Sequence, residues 1–195
     1  RFSSGRGPHG WVGLTWPKAY GGQEASMLDR LVVTEALIAA NAPVAAHWIA
    51  DRQSGPLLLR FGTEEQRQAF LPQISRGECF FSIGMSEPDS GSDLASVRTR
   101  AVPVDGGWQV TGRKVWTSFA HVNHFAIVLV RTGDAGESRH EGLSQLIIDL
   151  SAPGVEVRPI INMAGPHEFN EVVFDDAFVP ADRMVGEPGN GWQQV

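Results

Sequence analysis

The pattern of hydrophobic and polar residues changes its period near residue 78. Before this point apolar residues recur at helical spacing, and after it they alternate with polar residues as they do in strands. The pattern predicts an α+β protein in which an all-helical domain, residues 1–78, precedes a middle β-domain, residues 79–185, with barrel or sandwich architecture. Residues 186–195 are predicted to be a linker that leads toward a further helix.

The helical domain is predicted to open with an extended lead-in over residues 1–22, which Gly and Pro interrupt. Thr63 and Gln66 form a capping box that predicts the start of the last helix. Helices are predicted over residues 24–41, 44–52, 56–61 and 63–77. Trp11, Leu14 and Trp16 are predicted to anchor the lead-in, and Phe70, Leu71 and Ile74 are predicted to face inward. The apolar residues of the first helix keep helical spacing at Met27, Leu28, Leu31, Val32, Ala36 and Leu37.

The middle domain is predicted to contain about seven strands separated by turn residues. Residues 105–107, Asp-Gly-Gly, predict the turn of a hairpin. The strands are predicted over residues 80–85, 97–104, 108–116, 125–131, 143–150, 155–160 and 168–178.

Composition narrows the possible functions. Hydrophobic residues make up 42% of the 195 residues, charged residues make up 19%, and the net charge is −6 without any basic block, so a nucleic-acid surface is not expected. The longest aliphatic run, residues 125–130, is too short to span a bilayer. Cys79 is the single cysteine and cannot form an internal disulfide.

Two stretches carry the candidate chemistry. Residues 81–93 run from a strand into a loop that contains Pro88, Gly91 and several Ser and Asp residues. Such a strand end presents backbone N–H groups and hydroxyls, which suit an electron-rich or anionic ligand. On composition alone the same loop could equally be a solvent-exposed connection. A second polar stretch, residues 112–118, ends the hairpin and strengthens the ligand interpretation.

Other motifs are weaker. The GxGxxG of residues 5–10 lacks a preceding strand and contains Pro8, so it is not expected to bind a dinucleotide. His121 and His124 suggest zinc, but no third ligand lies nearby in the sequence. The spacing of Glu87, Asp89 and Asp93 fits no calcium loop, so no metal site is predicted.

Five segments, in this order along the chain, resemble the acyl-CoA dehydrogenases: GLTWPKAYGG, FGTEEQRQAFLPQISRGE, SEPDSGSD, TGRKVWTS and VFDDAFVPADRMVGEPGNGW. The resemblance implies a helical N-terminal domain, a middle β-domain and a C-terminal four-helix domain, of which this sequence carries the first two. It also implies FAD as the cofactor. GLTWPKAYGG and the loop at residues 132–142 are similar to bacterial members, some of which act on steroid side-chain thioesters.

By resemblance, Met85 and Ser86 contact the isoalloxazine, Trp116 lies against the ring, and Ser118 hydrogen-bonds near N5. The remaining cofactor residues that the resemblance implies are Ile83, Gly84, Gly91, Ser92 and Thr117. Ser92 and Ser86 are also implied to contact the substrate. The family's catalytic base is a Glu of the C-terminal domain, so no catalytic residue is assigned in this sequence, and Glu87 is expected to be structural.

The activity implied is α,β-dehydrogenation of an acyl-CoA thioester, with electron-transfer flavoprotein as the electron acceptor. Two alternatives remain open: an acyl-CoA oxidase or flavin monooxygenase of the same fold, or a non-catalytic two-domain partner subunit. A homo- or hetero-oligomer is implied, located in the cytoplasm of a bacterium or the mitochondrial matrix of a eukaryote.

Overall fold

The computed structural model describes residues 10–134 and 136–195. The lead-in predicted at residues 1–22 is therefore described only from residue 10 onward, and the glycine motif at residues 5–10 lies almost wholly outside the described residues. The chain divides between Phe80 and Phe81 into two compact units, a helical one and a β-rich one.

The helical unit contains four α-helices and one π-helical segment within the described residues. The predicted break between the second and third helices, at residues 53–55, is wrong, because the chain stays helical there by widening into a π turn. The elements are α1 (Met27–Ala39), α2 (Ala45–Ile49), the π segment (Ala50–Ser54), α3 (Gly55–Phe61) and α4 (Glu64–Ser75).

Gly55 explains why a glycine stands inside this continuous helix. A Cβ atom built at this position would lie 2.0 Å from Cζ2 of Trp16, so the indole packs directly on the helix backbone. The Trp16 side chain is almost fully buried. In the π segment, Asp51 accepts a hydrogen bond from the backbone N–H of Gly13, 2.8 Å away. The lead-in is therefore held on the helices by one buried indole and one carboxylate.

Capping determines where two helices begin. The predicted Thr63–Gln66 capping box is confirmed and begins α4 at Glu64. A second box between Ser26 and Asp29 begins α1 at Met27, three residues later than predicted.

Burial agrees with the predicted anchors except at one residue. Leu14, Trp16, Phe70, Leu71 and Ile74 are buried as predicted, whereas Trp11 is 41% exposed. The apolar face of α1 is also largely exposed, and its exposed residues are Met27, Leu28, Leu31, Val32 and Ile38.

Within the described residues, the β-rich unit is one mixed sheet of eight strands. The strands are β1 (Phe81–Gly84), β2 (Arg100–Val104), β3 (Gly107–Ser118), β4 (Phe125–Arg131), β5 (Leu143–Asp149), β6 (Val155–Ile161), β7 (His167–Pro180) and β8 (Met184–Val185). Their order in the sheet is β6-β7-β3-β2-β4-β5-β8, and β1 pairs in parallel with β4. The two-residue strand β8 is absent from the strands predicted from the sequence.

Strands β4 and β5 form the centre of this unit because both of their faces are covered. Val128 and Val130 join one buried cluster, and Leu129 joins another on the opposite face. The two strands pair over seven residues without interruption. The α+β architecture, with helices first and a β-domain after them, is confirmed. Among the described residues, none of the helices combines the length and hydrophobicity that spanning a bilayer requires.

We expect Gly55→Ala to destabilise the helical unit. The added methyl group would overlap the Trp16 ring, and overpacking of this kind costs about 1–3 kcal/mol. Urea unfolding followed by tryptophan fluorescence measures the effect. Gly133→Ala is the matched control, because its nearest atom would be 3.6 Å from the new Cβ. Equal midpoints for the two variants would contradict the proposed packing role of Gly55.

Candidate functional site

The two stretches singled out in the sequence lie next to each other in the β-rich unit. Strand β1 ends at Gly84, and the next residues run beside β3. The backbone N–H of Val115 donates to the carbonyl of Ser86 at 2.9 Å, and Nζ of Lys114 donates to the carbonyl of Met85 at 2.9 Å. Met85 and Ser86 therefore sit beside the part of β3 that leads into Trp116.

Ile83 and Gly84 belong to β1 itself. They pair with Ile127 and Val128 of the central strand β4, and Gly84 is buried. These residues fix the direction in which the chain enters the loop.

A buried ion pair lies beneath this junction. Nζ of Lys114 is 2.8 Å from Oε1 of Glu87, and the Lys114 side chain is fully buried. Glu87 also accepts hydrogen bonds from the backbone N–H groups of Arg98 and Thr99. Three donors thus converge on one carboxylate, which agrees with the structural role expected for Glu87.

Burial and charge act in opposite directions on the two members of this pair. Burial lowers the pKa of Lys114 to about 8, although the charge of Glu87 opposes the shift. Burial would raise the pKa of Glu87, but the Lys114 charge and the hydrogen bonds from Lys114, Thr99 and Arg98 outweigh it, so this pKa is lowered. Both groups are therefore charged near neutral pH.

Trp116 stands on a bulge of β3. The register of β3 against β7 shifts between Lys114 and Thr117, and Trp116 has a φ of +60°, in the left-handed region that large side chains rarely adopt. The indole is 60% exposed and meets the ring of Phe169 edge-on, with the centroids 6.1 Å apart. The bulge therefore turns a large aromatic side chain outward at the end of the strand.

Two buried side chains hold the residues that follow. Oγ of Ser82, on β1, donates to the carbonyl of Ser118 at 2.8 Å. Nδ2 of Asn170, on β7, donates to the carbonyl of Thr117 at 3.0 Å. Both Ser82 and Asn170 are completely buried. The segment at residues 116–118 is therefore fixed from two neighbouring strands.

These supporting residues were not identified from the sequence. Ser82 lies at an ordinary strand position, and Asn170 comes from a strand more than fifty residues further along the chain. The one signal in the sequence is a polar residue at a strand position that should face inward. This signal does not show which backbone group the side chain will bind.

The hydroxyl groups at the junction remain available. In the part of the chain that the structure describes, the Oγ atoms of Ser86 and Ser118 make no hydrogen bond, and both residues are half-buried. Oγ1 of Thr117 is buried and also lacks a partner within the described residues. The two neighbouring segments therefore carry two partly accessible hydroxyls and one exposed indole.

Gly91 and Ser92 are placed differently. Glu87 and Ser90 close a tight turn through two backbone hydrogen bonds, and the chain then passes over Gly91 and Ser92, which are exposed. A Cβ atom built at Gly91 would have no atom of the described residues within 4 Å. The space around Gly91 is therefore open in the part of the chain that the structure describes. The two residues extend the candidate site along the loop, away from the strand end.

His121 and His124 are the residues that suggested a metal in the sequence. Among the described residues, no group of three or more His, Cys, Asp or Glu side chains is placed to hold an ion. His121 instead stacks on His167, with the ring centroids 3.7 Å apart. His167 precedes the last strand predicted from the sequence, and in the structure it is the first residue of β7.

Asp93, another residue considered for a metal site, forms an ion pair with Arg139 of the loop at residues 132–142.

Comparison with known families identifies the fold. The profile described as "Acyl-CoA dehydrogenase, N-terminal domain" matches residues 5–78, and the profile described as "Acyl-CoA dehydrogenase, middle domain" matches residues 82–177. The chain belongs to the acyl-CoA dehydrogenase family. The loop after β1 and the bulge of β3 thus lie within the residues that match the family's middle domain.

Individual relatives agree with this assignment. Acyl-CoA dehydrogenase IpdE1 of Mycobacterium tuberculosis is 44% identical over 180 residues, which are 92% of this chain and 46% of the relative. The solved ChsE4–ChsE5 complex of the same organism matches with a TM-score of 0.90 and 38% identity, over 98% of this chain and 49% of that one.

A structure titled "Tcur3481-Tcur3483 steroid ACAD" matches with a TM-score of 0.92 and 34% identity, again over 98% of this chain and 49% of that one. The chain thus spans about half the length of the relatives that it matches.

We expect Lys114→Met to cost about 3–5 kcal/mol of unfolding free energy, because it leaves the Glu87 carboxylate buried without its cation. Urea unfolding at pH 7 measures the loss, and adding Glu87→Gln to the same chain should restore part of it. Arg158→Met is the control, since Arg158 pairs with Glu156 at the surface and its loss should be far smaller. A Lys114→Met chain as stable as the control would contradict a structural role for the pair.

Proposed function

We propose that this chain contributes part of the flavin site of an enzyme that dehydrogenates acyl-CoA thioesters between the α- and β-carbons. FAD would supply the hydride acceptor for that reaction. Met85, Ser86, Trp116, Thr117 and Ser118 would hold the isoalloxazine.

The meeting of two chain segments at one polar edge is the observation that carries this proposal. Ser86 and Ser118 bring half-buried hydroxyls without partners among the described residues, and Trp116 brings an indole that a strained bulge turns outward. Donors at fixed positions stabilise charge on a ring that becomes electron-rich, because they need not reorganise during the reaction. The indole would cover the ring and exclude water from one side.

The remaining cofactor residues have supporting roles. Ile83 and Gly84 would direct the loop toward the ring, since they are the last residues of β1. Gly91 and Ser92 would meet the phosphates of FAD or the pantetheine arm of the substrate, and their exposure leaves room for such a ligand. Ser86 would also contact the substrate.

Removal of the α-proton requires a base, and we assign none in this chain. Glu87 already accepts hydrogen bonds from Lys114, Arg98 and Thr99, which lower its pKa and stabilise the ionised carboxylate, so it is a poor base for a substrate proton. We infer that the base comes from a part of the protein outside this sequence, or from a partner subunit. The solved relatives named as two-component complexes support an oligomer, and electron-transfer flavoprotein is the proposed electron acceptor.

The substrate class is an acyl-CoA thioester. The structural relative Tcur3481–Tcur3483 is named a steroid ACAD, which makes a bulky polycyclic acyl group a reasonable first test substrate.

We expect Trp116→Ala and Ser118→Ala each to weaken FAD binding by about tenfold or more, because each removes one ring contact. FAD titration followed by flavin fluorescence measures the affinity, and circular dichroism checks the fold. Trp48→Ala and Ser151→Ala are matched controls at exposed positions. Affinities equal to those of the controls would remove these residues from the cofactor site, and a wild-type chain that binds no FAD would contradict the proposal as applied to this chain.

A further inference from the structure

A second polar network, formed by the side chains of Asn170, His121 and His167, lies behind the segment at residues 116–118, and none of these three residues belongs to the proposed ring contacts. Asn170 is completely buried on β7 and is within hydrogen-bond distance of three groups. Nδ2 is 3.0 Å from the carbonyl of Thr117 and 3.2 Å from Nδ1 of His121, while Oδ1 is 2.8 Å from Nε2 of His167. The two imidazoles stack on each other beside it.

The hydrogen bonds fix the orientation of this amide. A carbonyl can only accept, so Nδ2 must face Thr117. The second hydrogen of Nδ2 then points at Nδ1 of His121, which must therefore be unprotonated. Oδ1 accepts from Nε2 of His167, which must carry a hydrogen. All three contacts are satisfied together when His121 is neutral.

We propose that Asn170 is a positioning residue for the segment at residues 116–118, and that the stacked His121 and His167 hold it in its donating orientation. This inference rests on the proposed function, since the segment is the one assigned to the flavin. Asn170 does not touch the ring. It acts by fixing the carbonyl of Thr117, and through it the bulge that presents Trp116 and Ser118.

Protonation of His121 would disrupt this arrangement. A proton on Nδ1 of His121 would face the N–H of Asn170, and the hydrogen bond between them would be lost. Rotating the amide would turn Oδ1 toward the Thr117 carbonyl, and the hydrogen bond to Thr117 would be lost instead. Burial and the neighbouring His167 lower the pKa of His121, and they outweigh the opposing effect of its hydrogen bond with Asn170. The neutral form is therefore favoured on folding. The stability that the folded protein gains from neutral His121 is complete above pH 6.5, the ordinary pKa of histidine. It is lost as the pH falls through the pKa of His121 in the folded protein.

The charged groups on the elements near His121 and Asn170 have partners of their own. Lys114 of β3 pairs with Glu87 of the loop after β1, and the Asp149 carboxylate accepts from Ser151. On β7, Glu168 accepts from Asn162, and Glu171 pairs with Arg113 and Arg158. His124 lies in the same loop and lines a cavity beside His121. Among the described residues, His121 and His167 are the titratable side chains within hydrogen-bond distance of the Asn170 side chain.

The test uses Asn170→Asp, which keeps the shape of the side chain and replaces the donor to Thr117 with an acceptor. Nitrogen-15 NMR of the whole chain should show displaced signals for the Trp116 indole and for the amides of Thr117 and Ser118. The pKa of His121, followed by proton NMR, should rise by about one unit or more beside the new carboxylate. Asn190→Asp is the matched control, because Asn190 is exposed. Signals displaced no further than in the control would overturn the proposal.

A second variant keeps the proposal testable if Asn170→Asp does not fold. His121→Phe retains a ring to stack on His167 but removes the titrating nitrogen. The signals of Thr117 and Ser118 should move in the wild type as the pH falls from about 7.5 to about 4.5, in step with His121, whose pKa lies below its ordinary value of 6.5. They should stay still in this variant. An equal movement in both chains would overturn the proposal.

FAD titration separates this inference from the proposed function. If the wild-type chain binds FAD, Asn170→Asp should weaken binding by about fivefold or more, through the lost hydrogen bond, and an unchanged affinity would overturn the positioning role. If the wild-type chain binds no FAD, the proposed function fails, while the NMR comparison still decides whether Asn170 fixes the segment.

Discussion

The ion pair between Lys114 and Glu87 joins the two segments on which the proposed site depends. Lys114 belongs to the long strand β3, and Glu87 belongs to the loop that follows β1, so the pair connects elements that are distant in sequence. A buried charge without its partner is costly, and this cost strongly favours the arrangement in which the two meet. The same ammonium group also binds the carbonyl of Met85, which places Ser86 next to Val115.

Above this pair, the geometry is set by hydrogen bonds to the backbone. The bulge at Trp116 carries a left-handed φ, a conformation that persists only when its surroundings enforce it. Ser82 and Asn170 supply that enforcement from the strands β1 and β7, through the carbonyls of Ser118 and Thr117. The exposed indole and the two available hydroxyls are thus the accessible part of the proposed site, and buried polar groups hold the backbone that carries them.

The sequence predicted the order of helices and strands well, because apolar periodicity and turn residues are local signals. It predicted a break where the π segment lies, because Gly55 is a local helix breaker but is required by its contact with the distant Trp16. It also placed Trp11 in the core, although the side chain is 41% exposed. Motif resemblance named Ser86, Trp116 and Ser118, whose roles stay predictions. It could not reveal Ser82 or Asn170, because their significance depends on contacts between strands that are distant in sequence.

The FAD affinity of the folded Lys114→Met chain, measured beside the wild type under native conditions, tests the organising role of the buried pair most directly. Lys114 has no access to a ligand, so any loss of affinity must come from a change in how Ser86 and Trp116 are presented. We predict FAD binding by the wild type and clearly weaker binding by the variant. Equal affinities in two folded chains would contradict the claim that the buried pair organises the site.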